Sequence, residues 1–351
     1  MTHQTATVAT TDDALSDLET FAATYAGYSI IAGSTPSYSG YATSRVYRKT
    51  GKPDIHLSYN SSNDITSQGG RHGAILCAID TANSGASFNW AASTTTYEGG
   101  NEVASYKCPI SVASPAKNCT KYHFFTNGSE IWVVLKLGDY GYLHFGFGEL
   151  GFKAGAWTGG TFFAPCNAMN NYTGNLATTN NPASLNHNWF VGPLESDGLN
   201  VRQVGQHFLI YLEGDDTASP PLKKWGINLS SPATMNDTSQ RTYLTDISPL
   251  YSLNEALSAT VGWVRGANAY NGRTVGTPFD LLAYDDNVDL WRYIGQLQGM
   301  RIVNIEHLNA EDIINTDWMV FPLANTGNRN ADYFPETGTI GVAYKRYGLS
   351  S

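Results

Sequence analysis

Two runs rich in aromatic and β-branched residues, Tyr122-His-Phe-Phe-Thr126 and Glu130-Ile-Trp-Val-Val-Leu-Lys-Leu137, are separated by Asn127-Gly128 and little else. Asn and Gly tolerate the positive φ of a type I′ turn, so Asn-Gly between such runs is the strongest short-range sign of a β-hairpin. A second turn signal, Gly138-Asp-Tyr-Gly141, leads into Tyr142-Leu-His-Phe-Gly-Phe147. The three runs predict an antiparallel meander. Further strand-like runs occur at 45–48, 54–59, 74–79, 206–212, 299–306, 317–321 and 339–347, separated by Gly, Pro, Asn and Ser clusters.

Helical signals are fewer. Residues 12–26 follow the possible caps Thr10 and Thr11, start with Asp12 and Asp13 at the positive helix end, repeat Leu15, Leu18 and Ala22 at helical spacing, and stop at Gly27. Residues 252–265 make a second candidate, weakened by Gly262, and 279–293 fit helix or strand equally. The expected fold is mainly β, with antiparallel sheets in a sandwich-like arrangement, a short N-terminal helix and one or two further helices, α+β overall. Residues 1–160 are expected to form a helix plus an antiparallel β domain. An Asn-rich loop or connection spans 161–188, and 189–351 forms a second β-rich domain or continues the same body. No fixed-period repeat supports a solenoid or propeller.

Charged residues make up only 15% of the chain and the net charge is −9, which disfavours nucleic acid and any ion-pair shell. Hydrophobic residues at 42%, with 21 Tyr, 14 Phe and 8 Trp, supply enough apolar surface to order the chain. The first residues lack a basic and then apolar leader pattern, and no stretch has the length of a membrane span, so a soluble product made in the cytoplasm is expected, with no membrane partner. Arg45, Arg48, Lys49 and Lys52 form a small basic cluster, read as a solvated strand end rather than an anion site. Cys77 reads as a buried hydrophobe, while Cys108 and Cys119 are close enough in sequence to bridge a short loop, although nothing else points to an oxidising compartment.

Catalytic motifs are missing where they would be legible. Gly146-Phe-Gly-Glu-Leu-Gly151 lacks the Lys-Ser/Thr and helix of a phosphate loop, so its glycines read as bends beside large aromatics. The eight histidines include no His-x-x-x-His pair, and His56, His144 and His207 read as structural residues inside strands. Asp215-Asp216, Asp285-Asp286 with Asp289, and Glu311-Asp312 could form a glycosidase pair or a hard-cation site, but read more simply as solvated turns. No catalytic, cofactor-binding or metal residue is assigned. Trp157, Phe162, Phe163 and Tyr172, set among asparagines, have the composition of a sugar-binding or a protein-protein surface, and sequence alone does not separate the two.

The opening residues 5–22 leading to Tyr28-Ser-Ile30 resemble structural proteins of tailed-bacteriophage particles. So do Tyr142-Leu-His-Phe-Gly-Phe-Gly-Glu-Leu150 with Trp157-Thr-Gly-Gly160, and the closing Asp317-Trp-Met-Val-Phe-Pro322 with Gly341-Val-Ala-Tyr-Lys-Arg346. Together these cover about a quarter of the chain. The resemblance implies a non-enzymatic virion component, assembled in multiple copies in the tail, baseplate or neck, whose partners are its own copies and other tail or neck proteins. Interface candidates are then Trp157, Phe162, Phe163, Tyr172, Trp318 and Tyr344. A receptor- or carbohydrate-binding tail protein contacting host-surface glycan is the alternative, and a glycan-degrading hydrolase is a more distant one.

Overall fold

The computed structural model describes residues 2–36, 41–59, 75–90, 105–110, 119–136, 142–150, 152–153, 159–165, 209–213, 225–227, 247–249, 276–285, 290–305, 308–322 and 340–346. These form three antiparallel sheets and one N-terminal helix. The first sheet runs β1 (Thr2–Thr7), β7 (Lys121–Thr126), β8 (Glu130–Lys136), β9 (Tyr142–Glu149), β11 (Gly159–Pro165), β12 (Leu209–Glu213) and β13 (Trp225–Ile227). The second runs β2 (Ser29–Ala32), β3 (Arg45–Arg48), β4 (Asp54–Tyr59), β5 (Ile75–Asp80) and β6 (Ser105–Ile110). The third runs β14 (Ile247–Pro249), β15 (Thr277–Asp285), β16 (Leu290–Asn304), β19 (Ile340–Lys345), β18 (Trp318–Pro322) and β17 (Ile313–Ile314), with β10 (Phe152–Lys153) also paired to β16.

The predicted meander is β7-β8-β9, at the heart of the first sheet. Its turn differs from a two-residue type I′ turn. Gly128 takes φ +89°, but Asn127 instead uses its side chain, accepting hydrogen bonds from the N–H groups of Ser129 (2.9 Å) and Glu130 (2.7 Å). An Asx-type cap thus competes successfully with the left-handed backbone that Asn also tolerates. The segment 279–293, ambiguous by pattern, is strand on both sides of residues 286–289. The helix candidate 252–265 lies outside the described residues.

Helix α1 (Thr11–Ala26) is punctuated as its sequence requires. Thr10 Oγ1 accepts from the Asp13 N–H at 3.0 Å, and Asp13 accepts from the Thr10 N–H at 3.0 Å, closing a capping box. Gly27 ends the helix at φ +71°, a left-handed cap that a Cβ would oppose. Leu15, Leu18, Phe21 and Ala22 bury one face against the first and second sheets. No described helix is long and apolar enough to cross a membrane.

The first strand was not legible as a strand from the sequence. Thr2–Thr7 pairs with β7 over six residues, from Thr2↔Thr126 to Thr7↔Lys121, and its β-branched Thr5 and Thr7 take the exposed positions of the pleat.

The meander is buried on both faces, which explains why Ile131–Leu135 is a continuous apolar run rather than an alternating one. Tyr122, Phe124, Ile131, Val133, Leu143, Phe145 and Phe147 share a core with α1 and with Tyr47, Ile55, Leu57 and Ile79 of the second sheet. On the opposite face, Phe125 stacks on Tyr344 at 5.3 Å and meets Phe321 at 6.1 Å, both residues of the third sheet. β12 and β13, from the C-terminal half, extend the first sheet through the pairing of β11 with β12.

Gly146 faces the fully buried indole of Trp132, and a Cβ there would fall inside the ring system. Gly146→Ala is expected to lower unfolding free energy by about 2 kcal/mol, in the range that overpacking a core costs, as read from a urea titration.

Candidate functional site

The third sheet is tied to the first by a carboxylate. β16 carries an irregularity: Phe279 of β15 pairs with Leu297 but Pro278 pairs with Arg301, leaving Gln298, Gly299 and Met300 unmatched on that side. The N–H groups of Gln298 and Gly299 donate instead to Glu130 of β8, each at 2.8 Å, and the Trp132 indole N–H donates to the same carboxylate at 3.1 Å. Glu130 is wholly buried. Glycine at 299 is required by close approach, since a Cβ would stand 2.6 Å from the Trp132 indole nitrogen and 3.0 Å from Glu130 Oε2.

Farther along the same seam, His144 of β9 is fully buried between a Tyr344 hydroxyl at 2.9 Å from Nδ1 and the Pro322 carbonyl at 3.0 Å from Nε2. A carbonyl only accepts, so Nε2 carries the proton and Nδ1 accepts from the tyrosine. Burial pulls the His144 imidazole down to about 4, with His123 lowering it further and the Pro322 hydrogen bond opposing.

Glu311 supplies a third link. Its backbone takes φ +72°, unusual for a side-chain-bearing residue, and its carboxylate reaches the Lys121 ammonium, the Tyr142 hydroxyl (3.4 Å) and His123 Nε2 (3.5 Å). His123 Nδ1 lies 3.2 Å from His3 Nε2 on β1. Burial brings both His3 and His123 down to about 4; Lys121 adds to the effect on each, while Glu311 opposes it. Glu311 itself is held below the ordinary carboxylate range by Lys121, His123 and Lys136, against the opposing effect of burial.

On the face of the second sheet turned away from the shared core, Asp54 and His56 of β4 and Asp80 of β5 converge, with donor atoms within 4.8 Å of one another. Asp54 and Asp80 are directly opposed in register, and His56 follows two residues along the same face. Arg48 grips Asp54 through two hydrogen bonds, Nε to Oδ1 at 2.8 Å and Nη2 to Oδ2 at 2.5 Å. Asp80 accepts from the N–H groups of Ala82 (2.9 Å) and Ser84 (2.6 Å). Phe88 stacks on the His56 ring at 4.3 Å, and Trp90 meets it edge-on at 6.0 Å.

The aromatic residues singled out by sequence are placed as follows. Phe162 and Phe163 of β11 are wholly buried within the chain, against Trp132 at 5.6 Å and Phe145 at 6.1 Å respectively. Tyr344 is buried among Phe125, Trp132 and His144. In the described structure these three spend their rings inside the chain rather than presenting them to a neighbour, because the first sheet is covered on both faces. Trp318 is half-buried, with Arg301 over its ring at 5.0 Å and Lys345 at 5.9 Å. Trp157 and Tyr172 lie outside the described residues, as do His207, Asp215, Asp216, Asp286 and Asp289.

The basic cluster is not a solvated strand end. Arg45 pairs with Asp12 (2.7 Å) and Glu19 of α1, Arg48 with Asp54, and Lys49 (3.0 Å) and Lys52 (3.5 Å) with Glu149. Glu311 likewise leaves the role of solvated turn residue for the ion pair with Lys121. Cys119 is a reduced thiol, pushed up to about 12 by burial, so it does not bridge to Cys108, which instead lies opposite Cys77 in register. Cys77 is buried in the core, as a small hydrophobe should be.

None of Glu130, Asp54, Asp80, His3 and His123 is singled out by the sequence, although the pleat positions of Glu130, Asp54 and His123 are readable within their predicted runs; Asp80 falls one residue beyond its run and His3 lies in a strand with no local signal. Glu130 shares a face with Trp132, and Asp54 with His56, two residues apart on one strand. What the sequence could not show was that both faces of those strands are covered.

No protein-family model matches the chain, and no curated protein resembles it closely enough to stand as a relative.

Proposed function

We propose that the chain is a non-enzymatic structural component of a bacteriophage virion, assembling in multiple copies in the tail, baseplate or neck. The phage context rests on the resemblance of the opening, central and closing segments. The observation that carries the assembly reading is the outer edge of β1. Among the described residues no strand pairs with that edge. The strand is six residues long, contains neither Pro nor Lys, and keeps an unbroken register with β7. Sheet edges that stay solvated are ordinarily blunted by charge, proline or a bulge. An edge without those devices suits strand addition from a second copy, with backbone hydrogen bonds supplying much of the contact.

Support also comes from how the ionisable groups are used. Glu130, His144 and Glu311 join the first sheet to the third, and such ties give a rigid building block rather than an open cleft.

The test is sedimentation velocity on the full chain over a concentration series, beside the Thr5→Lys/Thr7→Lys variant, whose substitutions fall at exposed positions of β1. Self-association is expected, and the variant should weaken it by about tenfold or more, the loss of about 1.4 kcal/mol. A monomer that binds glycan saturably would favour the receptor-binding reading, and a chain that hydrolyses glycan would overturn the proposal. A cryo-electron-microscopy map of the particle should show the chain in repeated copies.

A further inference from the structure

The carboxylates on the outer face of the second sheet leave a charge unaccounted for. Asp54 and Asp80 are 0% and 1% exposed and carry two negative charges, against which, among the described residues, Arg48 brings one positive. A net buried negative charge is costly unless something positive is placed beside it. His56 is 0% exposed and its Nε2 has no hydrogen-bond partner. That nitrogen lies 3.5 Å from Asp80 Oδ2, long for a hydrogen bond. Two ligands each about 2.1 Å from one tetrahedral ion lie ~3.4 Å apart, so the separation suits two donors sharing a metal.

We propose that Asp54, His56 and Asp80 form a binding site for a divalent first-row transition-metal ion, with zinc or manganese as the fitting ions. One imidazole with two carboxylates is a borderline-to-hard donor set, which suits Zn²⁺ and Mn²⁺ better than a soft ion. The hydrogen bonds already made do not exhaust the donors. Each carboxylate oxygen has two lone pairs, so Asp54 can hold Arg48 and Asp80 can cap Ala82 and Ser84 while each turns a remaining lone pair to the ion. Those same bonds orient the ligands, as outer partners of metal-binding carboxylates do.

The role that follows is a staple. Asp80 opens the segment leading to Gly85–Ser87, Phe88 and Trp90, and Asn83, at φ +53°, accepts from Arg48 through its carbonyl (2.8 Å) and from the Asp54 N–H through its side chain (2.8 Å). An ion held by β4 and β5 would fix this segment over His56 and close the outer face of the sheet.

The experiment uses the full-length protein, stripped by a chelator and then dialysed against Zn²⁺, Mn²⁺ or Mg²⁺ alone, with bound metal measured by elemental analysis and melting followed in parallel. One equivalent of zinc or manganese should be retained, magnesium should not, and at a hundredfold excess over Kd the melting temperature should rise by about 4 °C. Asp80→Asn and His56→Gln should each weaken uptake by ~100-fold or more, while His3→Gln keeps it. Uptake by the unmutated protein is informative even where a variant fails to fold. The proposal is overturned if neither metal is retained and melting does not shift, or if folded Asp80→Asn and His56→Gln bind as the parent does.

Discussion

Glu130→Ala is expected to lower the unfolding free energy by about 4 kcal/mol by breaking the tie between the first and third sheets. The carboxylate accepts from the N–H groups of Gln298 and Gly299 and from the Trp132 indole; Glu130, Trp132 and Gly299 are buried, whereas Gln298 is exposed. Alanine leaves the buried donors of Gly299 and Trp132 without that acceptor, at roughly 1–3 kcal/mol each, with a smaller cost at the part-buried Gln298 N–H, and the sum is reduced because a buried charge has also been removed. The two backbone donors are free to serve Glu130 only because β16 slips out of register against β15 at that point. They cannot return to the ladder without shifting every pair beyond it. Glu130→Gln retains one accepting oxygen but turns an amide NH₂ toward a donor, so it should lose nearly as much. Urea unfolding of the two variants beside the parent gives the measurement. A loss below about 1 kcal/mol for alanine would mean that water enters the seam and serves the donors in its place.

The local elements were readable because their signals are local. The hairpin of β7 and β8, the capped helix and the β-rich closing segments each follow from residues within a few positions of one another, and each is present in the structure. Thr2–Thr7 carries no local strand signal, because a polar, threonine-rich strand becomes stable only when β7, more than a hundred residues later, supplies its ladder. The same distance hides the seam. Glu130 looks like an ordinary polar start to a strand until the bulge at Gln298–Gly299 is placed above it, and Asp54, at the start of the run 54–59, and Asp80, just past the run 74–79, give no sign of facing each other until β4 and β5 align them. Aromatic abundance was overread in the opposite direction. A strand in a middle layer needs large apolar side chains on both faces, and Phe162, Phe163 and Tyr344 meet that need inside the chain.

Acidification should destabilise the protein between about pH 6.5 and 4, and His144 should account for about 3 kcal/mol of the loss. The sign follows from where the proton binds. In the unfolded chain the imidazole titrates near 6.5, whereas in the folded chain burial brings it down to about 4. Across that interval the unfolded state binds a proton that the folded state refuses, so stability is full above the unfolded value and falls as pH drops through the window. Below the folded value the protonated ring is carried by both states and the contribution levels off. The groups facing His144 are the Tyr344 hydroxyl, the Pro322 carbonyl and, at longer range, His123. None of them is a carboxylate that would reverse the direction. His3 and His123 act in the same direction, so the wild-type curve alone does not isolate His144. His144→Gln does: a glutamine amide can donate to Pro322 and accept from Tyr344 without titrating. Its stability measured by urea unfolding at pH 7 and pH 4 should differ by about 3 kcal/mol less than the parent's does. An equal acid loss in variant and parent would place the proton uptake elsewhere and remove His144 from the account.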